Sequence, residues 1–183
     1  MYYDFKRNEI YDTLLDQIHA TKAFKNNPHI GKGLWKLWHG DNHLIADDKL
    51  NWKKEVPIFN KLMDRISDFF DMEIKATRFN WYRDDSDWKP YHFDAAAVKP
   101  DKADTQNLTI GVSFGNERDI NFEHADNRAT VGFPLIDGSV FGFGKELNCE
   151  WRHGIPQIEK GKRTGKGRIS IIAWGKNRQV ESM

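Results

Sequence analysis

The stretch 91–96 reads Tyr-His-Phe-Asp-Ala-Ala, and its His92-x-Asp94 pair governs how the rest of the chain is interpreted. A step of two residues places both side chains on the same side of an extended segment. If a second imidazole joins them, the three groups can hold a ferrous ion by one face and leave the opposite face open. His153 is the candidate for that third ligand. Because it lies far along the chain, such a site needs a folded β-barrel to assemble it.

The His-x-Asp spacing is weak by itself, because the chain contains it more than once. The copies are His39/Asp41, His92/Asp94 and His124/Asp126. Only the second copy has Asn80-Trp81-Tyr82 before it, His153 in a Trp-Arg-His-Gly-Ile-Pro stretch after it, and then Arg168 at the start of an apolar strand. We therefore predict a metal site at the second copy and solvated loop or strand-end residues at the other two.

From residue 73 onward, short apolar segments separated by turns predict an antiparallel β body. The candidate strands are Glu73–Tyr82, Tyr91–Ala96, Asn107–Phe114, Arg118–His124, Ala129–Pro134, Ser139–Phe143, Cys149–Gly154 and Arg168–Trp174. Strands of this number and length favour a jelly roll over an open sheet. The predicted fold is an all-β core with flanking helices (α+β), a cupin-like double-stranded β-helix over residues 73–183.

The first 72 residues are predicted to be a mainly helical buttress of the same single domain, 1–183. Apolar residues recur at helical spacing in Glu9–Ala23 and again from Pro57 to Asp71. Between them, His29–Trp52 shows little periodicity and many turn residues, so we expect a loop. Such a loop can cover the mouth of an active site with Trp35 and Trp38.

Composition limits the cellular setting and the partners. The single cysteine, Cys149, excludes an internal disulfide framework and favours a reducing compartment, and we expect a buried thiol beside His153. The charged N-terminus and the lack of an apolar run of about 18 residues favour a soluble intracellular protein, cytoplasmic or nuclear, with no membrane partner. The sequence does not reveal the oligomeric state, and we favour a monomer.

A net charge of +1 provides no global attraction to phosphates, so any nucleic-acid contact must be local. The basic stretch 160–168, KGKRTGKGR, is the local candidate for gripping a phosphate backbone. An ordinary solvated connection between strands is the alternative.

Strand alternation also predicts a binding site for a carboxylate near the metal. It places Arg168, Ser170 and Trp174 on one face of the last strand, and Asn80 and Tyr82 on one face of an earlier strand. A planar guanidinium can donate two charge-assisted hydrogen bonds to a carboxylate, which a lysine cannot reproduce. We expect the first set to face the barrel interior, with the amide and the phenol as further donors.

Several independent motifs, taken together, resemble one known family. They are Asn80-x-Tyr82, His92-x-Asp94, Ser113-Phe114-Gly115, Arg118-Asp119-Ile120-Asn121-Phe122, Gly138, His153-Gly154-Ile155 and Arg168. Their order and approximate spacing resemble the AlkB-like branch of the iron(II)/2-oxoglutarate-dependent dioxygenases over about residues 75–175.

The resemblance implies a double-stranded β-helix that binds Fe(II) through His92, Asp94 and His153. It implies further that 2-oxoglutarate chelates the iron, with its distal carboxylate on Arg168. Members of this family use dioxygen to convert 2-oxoglutarate into succinate and carbon dioxide while they hydroxylate a substrate, and hydroxylation of an N-methyl group releases formaldehyde. Two positions depart from the pattern, because Trp174 stands where AlkB-like repair enzymes usually have a second arginine, and Ser170 stands where asparagine is common.

The resemblance also favours a substrate class: a modified nucleobase in DNA or RNA, flipped or single-stranded, that is hydroxylated or demethylated. The candidate substrate residues are Trp81, Tyr91, Arg118 and Trp38. A 2-oxoglutarate-dependent hydroxylase of a protein side chain or small molecule is the first alternative. A non-catalytic barrel that binds a structural zinc or nickel ion is the second, although such a site has no need of Arg168 as a carboxylate anchor.

Overall fold

The computed structural model describes residues 7–25, 35–40 and 52–178, with backbone alone for 7–8 and 35–40. Within these ranges the strands form two antiparallel sheets, one with five strands in the order β1-β2-β9-β4-β7 and one with four in the order β3-β8-β5-β6. The strands are β1 Trp35–Gly40, β2 Met72–Tyr82, β3 Lys89–His92, β4 Leu108–Gly115, β5 Arg118–His124, β6 Thr130–Leu135, β7 Val140–Gly144, β8 Trp151–Ile155 and β9 Arg168–Asn177.

The described helices are α1 Arg7–Ala20, α2 Lys22–Lys25, α3 Pro57–Phe69, α4 Pro100–Ala103 and α5 Lys145–Glu150. Short 3-10 turns cover Trp52–Glu55, Ala95–Ala97 and Lys160–Lys162. Proline at the start of α3 costs no hydrogen bond, because the first N–H groups of a helix have no partner inside it. None of the described helices is long and apolar enough to cross a membrane.

The helices cover one face of the five-stranded sheet and enclose the main apolar core there. Phe59, Met63 and Ile66 of α3 belong to this core together with Phe79 of β2 and Ile171 of β9, all buried. Helix α1 adds Leu14 and Ile18, which are fully buried. Burial of this apolar area is the main contribution to the stability of the sheet.

The opposite face of the same sheet points toward the four-stranded sheet and is much more polar. Strands β2 and β9 are paired with Asn80 opposite Ser170 and Tyr82 opposite Arg168. These four side chains are all buried. A second apolar cluster closes the space between the sheets, formed by Tyr82, Ile120, Phe122, Leu135, Phe143 and Ile155. The predicted helix-buttressed double-stranded β-helix is thus confirmed.

Three local predictions were wrong. The strand predicted over Tyr91–Ala96 ends at His92, and a 3-10 turn follows Asp94. The strand predicted from Cys149 begins at Trp151, because α5 precedes it, and Cys149 is exposed on that helix rather than buried beside His153. The segment predicted as a loop contains β1, which extends the five-stranded sheet at its edge. Residues 29–34 and 41–51 of that segment lie outside the described residues.

Candidate metal centre

The pairing of β3 with β8 brings the two candidate imidazoles together. His92 and His153 are register partners, and their ring centroids are 4.4 Å apart. The close approach of the strands depends on Gly154, since a Cβ atom there would lie 2.8 Å from the Lys89 carbonyl oxygen. Asp94 follows β3 in an extended conformation, with φ −73° and ψ 158°. Its carboxylate therefore returns to the same side as His92, as the two-residue spacing predicts.

The three ligand atoms are close enough for one ion. Asp94 Oδ1 lies 3.9 Å from His92 Nε2 and 3.6 Å from His153 Nε2, and all three atoms lie within 4.8 Å of one another. With metal–ligand bonds of about 2.0–2.2 Å, neighbouring ligands of an octahedral ion are about 3 Å apart. The two distances from Asp94 Oδ1 would therefore have to shorten by less than about 1 Å, and the distance between the two imidazole nitrogens by less than about 2 Å, to give a metal-bound geometry. Within the described ranges, no other group of His, Cys, Asp or Glu meets this condition.

Both imidazoles are in the neutral form at neutral pH. The Pro90 carbonyl lies 3.0 Å from His92 Nδ1, so Nδ1 carries the proton and Nε2 faces the site. Burial, followed by the positive charges of Lys89 and His153, lowers the pKa of His92 to about 3. Burial also lowers the pKa of His153. Neutral imidazole is the form that binds a metal ion, so neither ring has to lose a proton at neutral pH.

Two residues that the sequence analysis missed hold Asp94 in place. The Asn148 side-chain oxygen accepts a hydrogen bond from the Asp94 backbone N–H at 2.9 Å, and its amide nitrogen donates to the Asp94 carbonyl at 3.4 Å. The Thr109 hydroxyl donates to Asp94 Oδ2 at 3.2 Å, which leaves Oδ1 toward the imidazoles. Strand alternation would have found Thr109, which is on the inner face of β4. Nothing in the sequence indicates Asn148, because its position depends on the short helix α5.

Arg168 is a buried cation in the cavity that the three ligand residues also line. It is 1% exposed, and its Nε donates to Ser113 Oγ at 2.8 Å. Apart from an interaction with the Tyr82 phenol, its two buried terminal nitrogens have no hydrogen-bond partner among the described residues. A guanidinium in this state leaves donors unsatisfied at a considerable cost in free energy. One N–H of each terminal nitrogen can point at a carboxylate, which would accept both hydrogen bonds at once.

The cavity around Arg168 is also lined by Tyr82, Asn80 and Ser170, as expected from strand alternation. The Arg168 guanidinium lies 5.0 Å from the centre of the Tyr82 ring. Burial raises the pKa of Tyr82, so its phenol keeps its proton and remains a donor. Asn80 makes a long contact of 3.5 Å with the Ser170 carbonyl, and its Oδ1 has no partner among the described residues. The structure thus brings Asn80, Tyr82, Arg168 and Ser170 together in one cavity with the ligand residues.

Trp174 lies farther along β9, on the other side of the metal ligands. It lines a separate cleft of about 260 Å³, which shares His92 and Asp94 with the first cavity. The Arg78 guanidinium lies 5.7 Å from the centre of the Trp174 ring. Trp174 is therefore placed beside the cleft rather than beside Arg168.

The predicted substrate residues are scattered. Trp81 lies on the helix-covered face of β2, where its ring is 5.1 Å from that of His19, because it alternates with Asn80 and Tyr82. Arg118 is only 4% exposed and donates to the carbonyls of Asp87 and Pro156, at 3.0 and 2.7 Å. Neither side chain lines the two cavities that contain the ligand residues. Tyr91 lines a shallow pocket with Trp88, and the Trp38 side chain lies outside the described residues.

The third His-x-Asp copy forms a turn. His124 Nδ1 accepts a hydrogen bond from the Asp126 backbone N–H at 3.2 Å, and Asp126 is exposed. This arrangement matches the predicted strand-end interpretation. In the first copy, Asp41 lies outside the described residues.

Comparisons with known proteins give a likeness in fold only. No protein-family model matches the chain, and no curated protein matches it in sequence. Among solved structures it is similar to OsALKBH1, with 15% identity and a TM-score of 0.46, over 66% of this chain and 62% of that one. It is also similar to a prolyl-4-hydroxylase from Pseudomonas putida, with 15% identity and a TM-score of 0.49, over 97% of this chain and 91% of that one.

Proposed function

We propose that this chain is an iron(II)- and 2-oxoglutarate-dependent dioxygenase. The single observation that carries the proposal is the position of Arg168. Its two buried terminal nitrogens, which none of the described residues satisfies fully, lie in the same cavity as His92, Asp94 and His153. A structural metal site has no use for a buried, unsatisfied guanidinium, whereas a keto acid bound to the metal needs an anchor for its far carboxylate.

Each residue of the cavity has a distinct task in this proposal. His92, Asp94 and His153 would hold Fe(II) by one face, and Arg168 would bind the distal carboxylate of 2-oxoglutarate, assisted by the phenol of Tyr82 and the amide of Asn80. When bound, iron and 2-oxoglutarate would supply the activation of dioxygen, with 2-oxoglutarate converted to succinate and carbon dioxide while the substrate is hydroxylated. Ile172, Phe143 and Ile155 line the same cavity, and their apolar side chains would keep water from the carboxylate and so strengthen its ion pair with Arg168.

The substrate in this proposal is a modified nucleobase in DNA or RNA, which the enzyme hydroxylates or demethylates. Support comes from the cleft beside the metal ligands, which is lined by the aromatic rings of Phe93 and Trp174 together with basic side chains. A flat base can stack on such rings, and stacking is tolerant of base identity.

The cofactor assignment is tested by anaerobic titration of 2-oxoglutarate into the Fe(II)-loaded chain. We expect a metal-to-ligand charge-transfer absorption in the wild type. Arg168→Met should need at least about 30-fold more 2-oxoglutarate to reach the same absorbance, because the carboxylate loses both of its donors. Arg163→Met is the matched control, since Arg163 is exposed and lies outside the cavity. A chain that binds the metal but shows no such absorption would be a structural metal barrel instead.

The substrate assignment is tested with N-methylated single-stranded DNA and RNA oligonucleotides. The expected result is formaldehyde release together with stimulated succinate formation, both absent with unmethylated oligonucleotides. Succinate formation that no nucleic acid stimulates would rule out the nucleobase and leave a hydroxylase of another substrate.

A further inference from the structure

We infer that the cleft beside the metal ligands binds an anionic group of the substrate, a phosphate or a carboxylate, through Lys99, Lys102 and Arg78. This inference rests on the proposed function and extends it, because it names a chemical feature that the substrate must carry. The cleft is lined by these three cations together with Trp174, Phe93 and the ligands His92 and Asp94. An anion held there would lie beside His92 and Asp94.

The backbone after Asp94 fixes both lysines relative to the metal ligand. The Ala97 N–H donates to the Asp94 carbonyl at 3.0 Å, and the Lys99 N–H donates to the Ala95 carbonyl at 2.9 Å. The next turn begins at Lys99, whose carbonyl accepts the Lys102 N–H at 3.1 Å. Residues three apart in such turns lie on the same side, so both ammonium groups can reach one ligand.

Arg78 reaches the cleft from the sheet. It follows Ala76 and precedes Asn80 on the inner face of β2, and its partner in β9 is Ile172. Its guanidinium lies over the Trp174 ring, and this contact holds it at the cleft wall. Cations therefore approach the cleft from two sides, the sheet and the turn.

The charge balance of the cleft favours an anion. Among the described residues that line the cleft, only Asp94 has a carboxylate, and it would be shared with a metal dication. Lys102 has a side chain that is only 16% exposed, and its ion-pair partner Asp101 is 3.8 Å away and 72% exposed. A lysine whose side chain is mostly buried and whose ion-pair partner is so weak gains more from a bound anion than a fully solvated lysine does.

The basic stretch 160–168 does not line this cleft. It ends at Arg168, whereas the cleft is at Trp174, six residues farther along β9. At about 3.3 Å per residue, the two places are about 20 Å apart. Lys160 and Lys162 of this stretch are exposed and line neither cavity that contains the ligand residues, so they provide a matched control of equal charge.

The test compares two pairs of small probes, in each of which one member has an anionic group where the other is neutral: dAMP against deoxyadenosine, and N-acetyl-aspartate amide against N-acetyl-asparagine amide. Each probe is titrated into the full chain loaded with Zn(II) and 2-oxoglutarate, and binding is followed by amide and indole NMR signals. At least one anionic probe should bind about 10-fold more tightly than its neutral analogue and shift the signals of 99–102 and the Trp174 indole. The pair that shows the preference identifies the source of the anion.

Two double lysine variants show which residues cause the preference for the anionic probe. Lys99→Gln/Lys102→Gln should reduce it at least about 5-fold, whereas Lys160→Gln/Lys162→Gln should change it less than about 2-fold. No preference in either pair, or an equal loss in both double variants, would overturn the inference. The charge-transfer absorption of the wild type is recorded in parallel. Its absence would contradict the proposed function, whereas its presence without any anion preference would contradict only the anion site.

Discussion

The two faces of the five-stranded sheet are both buried, but one is apolar and the other is polar. On the helix-covered face, Phe79 and Ile171 are completely buried in an apolar core. On the inner face, their chain neighbours Asn80 and Ser170 are almost as buried, yet they belong to a polar cavity with the charged Arg168. Burial alone therefore does not distinguish a residue that stabilises the fold from one that serves the site. What distinguishes them is whether the buried groups have partners.

This difference has an energetic meaning. The apolar face contributes the free energy of burying hydrocarbon, and the inner face costs free energy because donors such as those of Arg168 remain unsatisfied. The strands can hold such a cavity because their other face is so well packed. Substitutions on the two faces should therefore affect different measurements, and the following predictions rely on that separation.

The largest effect is expected on the apolar face. Phe79→Ala should lower the free energy of unfolding by about 3–5 kcal/mol, because it removes a fully buried ring and leaves a cavity. Urea unfolding measures this loss, and metal binding at low temperature should survive in the folded fraction. The adjacent Asn80→Ala should change stability by less than about 1 kcal/mol. Equal losses at both positions would show that the two faces do not have separate roles.

The second-largest effect is expected on the inner face, where a substitution should change ligand binding rather than stability. Arg168→Met should weaken 2-oxoglutarate binding by about 30- to 100-fold, which corresponds to about 2–3 kcal/mol. The same change should leave the free energy of unfolding of the ligand-free chain unchanged or raise it, because methionine removes a buried charge with unsatisfied donors. Calorimetric titration and urea unfolding of one preparation measure the two quantities. A large loss of stability would mean that Arg168 supports the fold.

A buried charge with a full set of partners sharpens the comparison. Asp85 is 1% exposed and accepts hydrogen bonds from Asn116, from the Thr164 hydroxyl at 2.8 Å and from the Gly165 N–H at 3.0 Å. Asp85→Asn should lower the free energy of unfolding by about 1–3 kcal/mol, because an amide cannot accept all of these bonds. Faster amide exchange in 164–166 would localise the loss to that turn.

Asp85 also makes a prediction about pH. Burial acts to raise its pKa, but the hydrogen bonds from Thr164 and Gly165 outweigh it, so the net pKa is lowered. A lowered folded pKa stabilises the protein above the unfolded value of about 3.9, and the stabilisation is lost as the pH falls through the folded pKa. Below about pH 4, the free energy of unfolding should therefore decrease more steeply with falling pH in the wild type than in Asp85→Asn. Parallel curves would contradict this role.

The sequence predicted the triad and the inner-face set because both follow from strand alternation and from the order of motifs. The same alternation excludes Trp81, which occupies the position between Asn80 and Tyr82, so its selection as a substrate residue neglected that rule. Arg118 could not be placed from sequence, because its partners are the carbonyls of Asp87 and Pro156, far away in the chain. Asn148 likewise depends on a six-residue helix that has no recognisable periodicity.

His19 is an exception on the helix side and gives the smallest predicted effect. Its Nε2 is buried without a hydrogen-bond partner among the described residues, and its ring packs between Phe24 and Trp81, at centroid distances of 4.2 and 5.1 Å. Burial lowers its pKa, with Asp16 opposing. The unfolded chain therefore takes up the proton more readily, and stability should fall as the pH drops below about 6.5 toward the lowered folded value. His19→Gln should remove this part of the pH dependence and narrow the difference in Tm between pH 7 and pH 5.5 by about 1–2 °C. An unchanged difference would mean that the ring is hydrated in the folded protein and that its burial costs no stability.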